Sequence, residues 1–258
     1  MTNQDSYYAK IKKLNVRHYA GETSYYGNAD LRAAEKTLLA SLPKGARILD
    51  IGCGSGRFSI NAAKLGFDVT GVDITPEAIA TCNKRAKDAG LKNTRFMVVD
   101  ITEGFPGGNY DYVFCPRFVI NAISTDVRRR QAIKNMYAAC NVGGKIFIES
   151  FNINWLGKGI LVPVTSYFVG FVRRLHMLNA RLWDKPYIGL LPGDIVYQAN
   201  KTKCAPEGYA HLPSIFEINS YLRGAKTYSI YELTQVKKKD LLKPFRYSIW
   251  TIDHNVQK

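Results

Sequence analysis

Residues 50–56 read Asp-Ile-Gly-Cys-Gly-Ser-Gly, a carboxylate followed by glycines Gly52, Gly54 and Gly56 at alternate positions. Glycines at that spacing let the main chain turn sharply and let a ligand reach the backbone, because no Cβ stands in the way. The acid ahead of them is placed to meet a cation such as an ammonium group. Two more acids close apolar runs: Asp73 in Gly71-Val72-Asp73-Ile74 and Asp100 in Val98-Val99-Asp100-Ile101. If each run is a parallel strand, three carboxylates lie along one carboxyl-terminal sheet edge, where open α/β sheets bind their ligands. The four histidines form no ligand cluster, and the five cysteines contain no CxxC pair, so neither a metal centre nor a disulfide framework is indicated. His18 and His211 are the candidates for moving a proton near neutral pH.

The pattern around these residues alternates strand and helix. A helix over 30–41, with Asp30 as its cap, is followed by the breaker Pro43-Lys44-Gly45 and a strand over 47–51. Helix 57–65 stops at Gly66, strand 69–72 ends at Asp73, and helix 76–89 runs from Thr75 and Pro76 to Gly90. Strands 94–99 and 112–114, helix 126–140 and strand 145–149 complete the series. Such alternation implies right-handed crossovers and a parallel sheet covered on both faces. Residues 151–212 show no clear period, whereas 214–222 reads as a helix and 226–235 and 245–253 alternate like strands. The expected fold is therefore α/β: a doubly wound, mostly parallel seven-stranded sheet with an antiparallel C-terminal edge hairpin and a lid insertion after strand 5. The expected divisions are a helical cover (1–44), a ligand-binding core (45–150), the lid (151–212) and a tail completing the sheet (213–258).

A glycine-rich turn also occurs in dinucleotide-binding folds, but there a third glycine comes three residues after the second, and here that position is Arg57. A phosphate-cradling loop is excluded because no Gly-Lys-Ser/Thr follows. The stretch 45–150 instead resembles the class I S-adenosylmethionine-dependent methyltransferase family, and 213–253 is similar to it in strand order. The resemblance implies that Asp50, Gly52, Gly54 and Gly56 bind the methionine part of the cofactor, Asp73 the ribose hydroxyls and Asp100 the adenine amine. Cys53, Ile74, Ile101 and Cys115 would line the site, and Tyr26, beside Tyr25, would close over it. Asp111-Tyr112-Val113-Phe114-Cys115 resembles the family's fourth-strand motif, and 141–145 its turn into strand 5, with Val142 where proline is common. The implied activity is transfer of a methyl group from S-adenosylmethionine to an O or N atom of a small-molecule acceptor, anionic or lipid-like, leaving S-adenosylhomocysteine.

Methyl transfer asks mainly for collinear nucleophile, carbon and sulfur in a dry pocket. A hydroxyl acceptor also needs a base, worth roughly 10²–10⁴-fold. His211, at the end of the insertion, is the first candidate for it and His18 the second. Cytosine C5 chemistry is not expected, since Cys115 precedes Pro116 instead of following a proline. The Asp/Asn-Pro-Pro-Tyr signature of base-amine methylation is absent, and Arg117 is a candidate either to contact an anionic acceptor or to cap a helix.

An apolar content of 46% with 22% charged residues excludes a disordered chain. The net charge of +15 suits acidic partners, but the excess is spread along the chain and only 128–130 and 237–239 are basic runs. DNA is not expected as a partner. An RNA-modifying methyltransferase using the basic surface, or a non-catalytic cofactor-binding subunit, are the alternatives. The apolar stretch 159–172 is too short to span a bilayer and contains Pro163, which favours packing over a membrane role. The polar opening MTNQDSYYAK and the scattered cysteines fit a cytoplasmic protein.

Overall fold

The computed structural model describes residues 3–20, 30–105, 107–151, 194–198, 207–211, 213, 217, 220–221 and 247–253. The apolar runs flanking the glycine turn become central strands of a six-stranded sheet. In chain order the strands are β1 (Arg47–Ile51), β2 (Asp68–Asp73), β3 (Thr94–Val98), β4 (Tyr110–Cys115), β5 (Cys140–Phe151), β6 (Asp194–Gln198), β7 (Glu207–His211) and β8 (Tyr247–Asp253). The helices are α1 (Asn3–Ala20), α2 (Ala33–Ala40), α3 (Arg57–Lys64), α4 (Pro76–Asp88), α5 (Val119–Ala122) and α6 (Asp126–Ala139). The main sheet runs β3-β2-β1-β4-β5-β8; β1 to β5 are parallel and β8 lies antiparallel on β5.

Successive side chains on a strand point to opposite faces. Ile48, Phe114 and Phe147 join Leu39, Phe58 and Ala62 on one side, while Leu49, Val113 and Ile146 join Ala132, Ile133 and Met136 on the other. Both faces are covered, which is why these strands read as continuous apolar runs. Strand order reverses between β1 and β4, so the crevice at their carboxyl ends is the topological switch point.

Some boundaries differ from the sequence expectation. Helix α2 begins after Arg32, not after Asp30, because the Arg32 N–H donates to the Glu35 carboxylate at 2.8 Å and closes the helix end there. Strand β5 starts at Cys140, taking in Gly143-Gly144; a register irregularity against Tyr110 and Tyr112 of β4 accommodates the extra residues. The antiparallel partner at the sheet edge is β8, whereas the expected strand 226–235, and with it the seventh strand and the hairpin, lies outside the described residues, as does 159–172. Within the expected insertion, β6 and β7 pair antiparallel in a separate two-stranded sheet. Among the described residues no helix is long and apolar enough to cross a membrane.

Candidate functional site

The turn after β1 is clamped to β2: the N–H groups of Gly52 and Cys53 donate to the Val72 carbonyl at 2.7 and 3.0 Å. Gly52 has φ +69°, and a Cβ there would lie 2.2 Å from Val119 of α5. Gly54 has φ +54°, yet a Cβ there would meet nothing within 4 Å, so its backbone faces open space. Its N–H donates to Asp73 Oδ2 at 2.9 Å, which ties the turn to the end of β2. Gly56 ends the turn, its own missing Cβ leaving room for Ile60 and Cys82. Arg57 is buried and gives two 2.7 Å bonds to Glu35. Arg32 continues this ladder from Glu35 to Glu149 at the end of β5, whose carboxylate also accepts from the Arg117 N–H. The Glu35–Arg57 pair was not legible as a site feature; a charged residue in the third-glycine position was its only trace.

Of the rim acids, Asp50 is fully buried; Ser59 donates to its Oδ2 at 2.5 Å and its Oδ1 has no partner. Burial pushes its pKa up to about 7, against the opposing pull of Ser59 and Arg57. Asp73 accepts from the N–H groups of Gly54 and Thr75, and burial raises its pKa despite those bonds. Asp100 is different. Its Oδ1 accepts from Thr102 N–H at 2.9 Å and Thr102 Oγ1 at 2.8 Å, and its Oδ2 from Tyr8 at 2.7 Å and Lys12 Nζ at 2.5 Å. Burial alone would raise its pKa, but these donors hold it below the usual carboxylate range.

Both histidines are buried. His211 has Nδ1 2.7 Å from Asp194 and Nε2 2.9 Å from Glu217, so neither ring nitrogen is left to face an acceptor in this arrangement. Burial would lower its pKa, but the two carboxylates outweigh that and raise it, favouring the imidazolium. Tyr7 and Tyr209 also donate to Asp194, at 2.8 and 2.6 Å, and Arg129 and Tyr221 to Glu217. His18 packs edge-on against Tyr19 in α1. Cys53, Cys115 and Ile101 are buried and Ile74 is half-buried; burial raises both thiol pKa values. Tyr25 and Tyr26 lie outside the described residues. The arginine run 128–130 is internal bracing: Arg128 pairs with Asp5, Arg129 is buried against Glu217 and Tyr221, and Arg130 bonds Asp126 and Ser220. The run 237–239 lies outside the described residues.

Among the described residues, two buried side-chain oxygens of the 50–56 segment, Asp50 Oδ1 and Ser55 Oγ, lack a hydrogen-bond partner. Native proteins pair such groups, so unmet ones in a cluster call for a polar ligand. A buried carboxylate oxygen beside open main chain fits the ammonium of the methionine part of S-adenosylmethionine. No group of three His, Cys, Asp or Glu among the described residues is arranged to hold a metal.

Residues 42–168 match a family model described as a methyltransferase domain. A ubiquinone biosynthesis O-methyltransferase of Xanthomonas axonopodis pv. citri is 29% identical over 111 residues, 43% of this chain and 45% of the relative. An S-adenosyl-L-methionine-dependent Diels-Alderase of Talaromyces variabilis is 29% identical over 121 residues, 45% of this chain and 40% of the relative. The chain thus spans somewhat under half the length of these curated relatives. In fold it is similar to the CcbJ methyltransferase of Streptomyces caelestis, with TM-score 0.60 and 12% identity over 92% of this chain and 98% of that one. Residues 42–168 are thus a methyltransferase domain of the class I S-adenosylmethionine-dependent kind, and its cofactor is S-adenosylmethionine.

Proposed function

We propose that this chain transfers the methyl group of S-adenosylmethionine to an oxygen or nitrogen of a small-molecule acceptor. The observation that carries the reading is the unpartnered Asp50 Oδ1, buried at the switch point beside the open face of Gly54. In this reading Asp50 receives the cofactor's ammonium, the Gly52–Gly56 turn and Cys53 hold its methionine part, and Asp73 with Ile74 takes the ribose. Ile101 and Cys115 pack the floor. The cofactor brings an electrophilic methyl group on a sulfonium; the chain's task is to orient it and exclude water.

Residues 151–212 act in this reading as the acceptor lid over the 45–150 core, with 1–44 as the cover and 213–258 completing the sheet. Supporting it, β6 and β7 reach α1 through Tyr7–Asp194 and Asn15–Tyr209, and Asn121 of α5 donates to the His211 carbonyl. Held charged between two carboxylates, His211 serves as a base only in its deprotonated form. A hydroxyl acceptor relying on it would turn over faster as pH rises, while an amine or phenolate needs neither His211 nor His18.

The test is mass spectrometry of cell extract incubated with methyl-labelled S-adenosylmethionine, the products separated into small-metabolite, lipid, RNA and protein fractions. Label in a small metabolite is expected. Label in RNA alone would replace this reading with an RNA-modifying one. Binding without label in any fraction would leave a cofactor-binding subunit, or chemistry other than methyl transfer.

A further inference from the structure

The acid after β3 is occupied to capacity. An ionised carboxylate offers about four lone-pair sites. Asp100 fills them with Thr102 N–H, Thr102 Oγ1, Tyr8 Oη and Lys12 Nζ, and its side chain is 6% exposed. Two of those donors come from α1, where Tyr8 and Lys12 stand four residues apart on one helix face. Tyr8 is itself buried in the main apolar cluster, with the Arg128 guanidinium 4.7 Å over its ring, and Lys12 reaches on to Glu103 at 3.3 Å. Helix α1 is held elsewhere too: Tyr7 donates to Asp194, and Asn15 bridges the Ala122 carbonyl and the Tyr209 N–H. An adenine amine seeking Asp100 would have to displace a charged lysine or a buried tyrosine from a helix fixed at several points.

We propose that Asp100 is a positioning residue that anchors α1 against the rim, and that recognition of the cofactor's adenine amine does not run through its carboxylate. The second half rests on the cofactor lying along the rim as proposed above. On this account α1 is a fixed wall of the site.

The test compares calorimetric affinities for S-adenosylhomocysteine and S-inosylhomocysteine, which carries a carbonyl in place of the adenine amine. Wild type, Asp100→Ala and the double variant Tyr8→Phe/Lys12→Met are measured, together with the rate of tryptic cleavage in α1 after Arg17, a site that all of them keep. The affinity ratio of the two ligands is expected to stay the same in wild type and Asp100→Ala, and cleavage in α1 to accelerate in both variants. A direct carboxylate–amine bond is worth on the order of tenfold or more, so a ratio that collapses in Asp100→Ala overturns the proposal. Should that variant not fold, a second substitution at the same position decides. There Asp100→Asn replaces the carboxylate by an amide of the same shape, and a fall in S-adenosyl over S-inosyl affinity relative to wild type would show the carboxylate reading adenine. Unchanged cleavage in α1 would overturn the anchoring. A wild type that binds neither ligand would sink the rim reading instead, and the cleavage rates would still decide the anchoring.

Discussion

Two regions of the molecule carry carboxylates in opposite states. At the β1–β2 end, Asp50 Oδ1 and Ser55 Oγ are buried without partners at a glycine turn whose backbone is open at Gly54. On the α1 flank, Asp100 accepts four hydrogen bonds, Asp194 accepts from Tyr7, Tyr209 and His211, and Glu217 receives Arg129, Tyr221 and His211. An unmet buried polar group costs about 1–3 kcal/mol, while a satisfied network ties its elements together. The first condition persists where a ligand supplies the missing partner; the second needs none.

That contrast is broken most severely by removing one carboxylate from each region. Asp194→Ala strips a buried network of its acceptor, leaving His211 and two tyrosines unsatisfied, and should cost about 3–5 kcal/mol in a urea titration. Asp50→Asn should lose no stability at about pH 8. The desolvation that lifts Asp50 to about 7 penalises only its charged form, and the amide has none. Equal losses in the two variants would erase the distinction between the regions.

The glycine turn offers a finer cut. Both Gly52 and Gly54 have left-handed backbones, so alanine strains each, but only at Gly52 does the new Cβ collide with Val119. Gly52→Ala should therefore be less stable than Gly54→Ala by roughly 1–3 kcal/mol of overpacking. Gly54→Ala should fold and lose affinity for S-adenosylmethionine, measured by calorimetry. Matching stabilities would mean that α5 does not press on the turn.

What the sequence made legible followed the same divide. The β1–β2 end is built from local signals: an apolar run, an acid, glycines at alternate positions and a helix start within about ten residues. The parallel strands could be read for the same reason: β1, β2, β4 and β5 bury both faces and show as short apolar runs, while β3 buries Phe96 and leaves Arg95 and Val98 exposed. The α1 flank is built from side chains far apart in sequence, Tyr8 meeting Asp100 across 92 residues and Tyr7 meeting Asp194 across 187. Strand β7 escaped notice because Tyr209 and His211 are buried through hydrogen bonds instead of an alternating apolar face. Arg129 read only as part of a basic run and is 3% exposed, enclosed by partners that no spacing rule foretells.

The smallest effect expected is a pH window. His211 sits above its ordinary 6.5, so its contribution to stability is complete below 6.5 and is lost as pH climbs through the raised value. For Glu217, burial opposes ionisation, but His211, Tyr221 and Arg129 lower its pKa to about 2. Its contribution is complete above its ordinary 4.5 and fades as pH falls toward 2. Stability in urea titrations should carry the full contribution of this tie between pH 4.5 and 6.5. His211→Phe should flatten the alkaline side; an unchanged profile would remove His211 from the tie.

The most direct test of the unmet carboxylate is calorimetric binding of S-adenosylmethionine to wild type and Asp50→Asn across the titration of Asp50 near pH 7. Wild-type affinity should fall as pH drops below about 7, because a protonated Asp50 no longer attracts an ammonium. The variant should bind on the order of 100-fold more weakly, with no such dependence on pH. Equal affinity in the two proteins, or no uptake by folded wild type at any pH, would contradict the account.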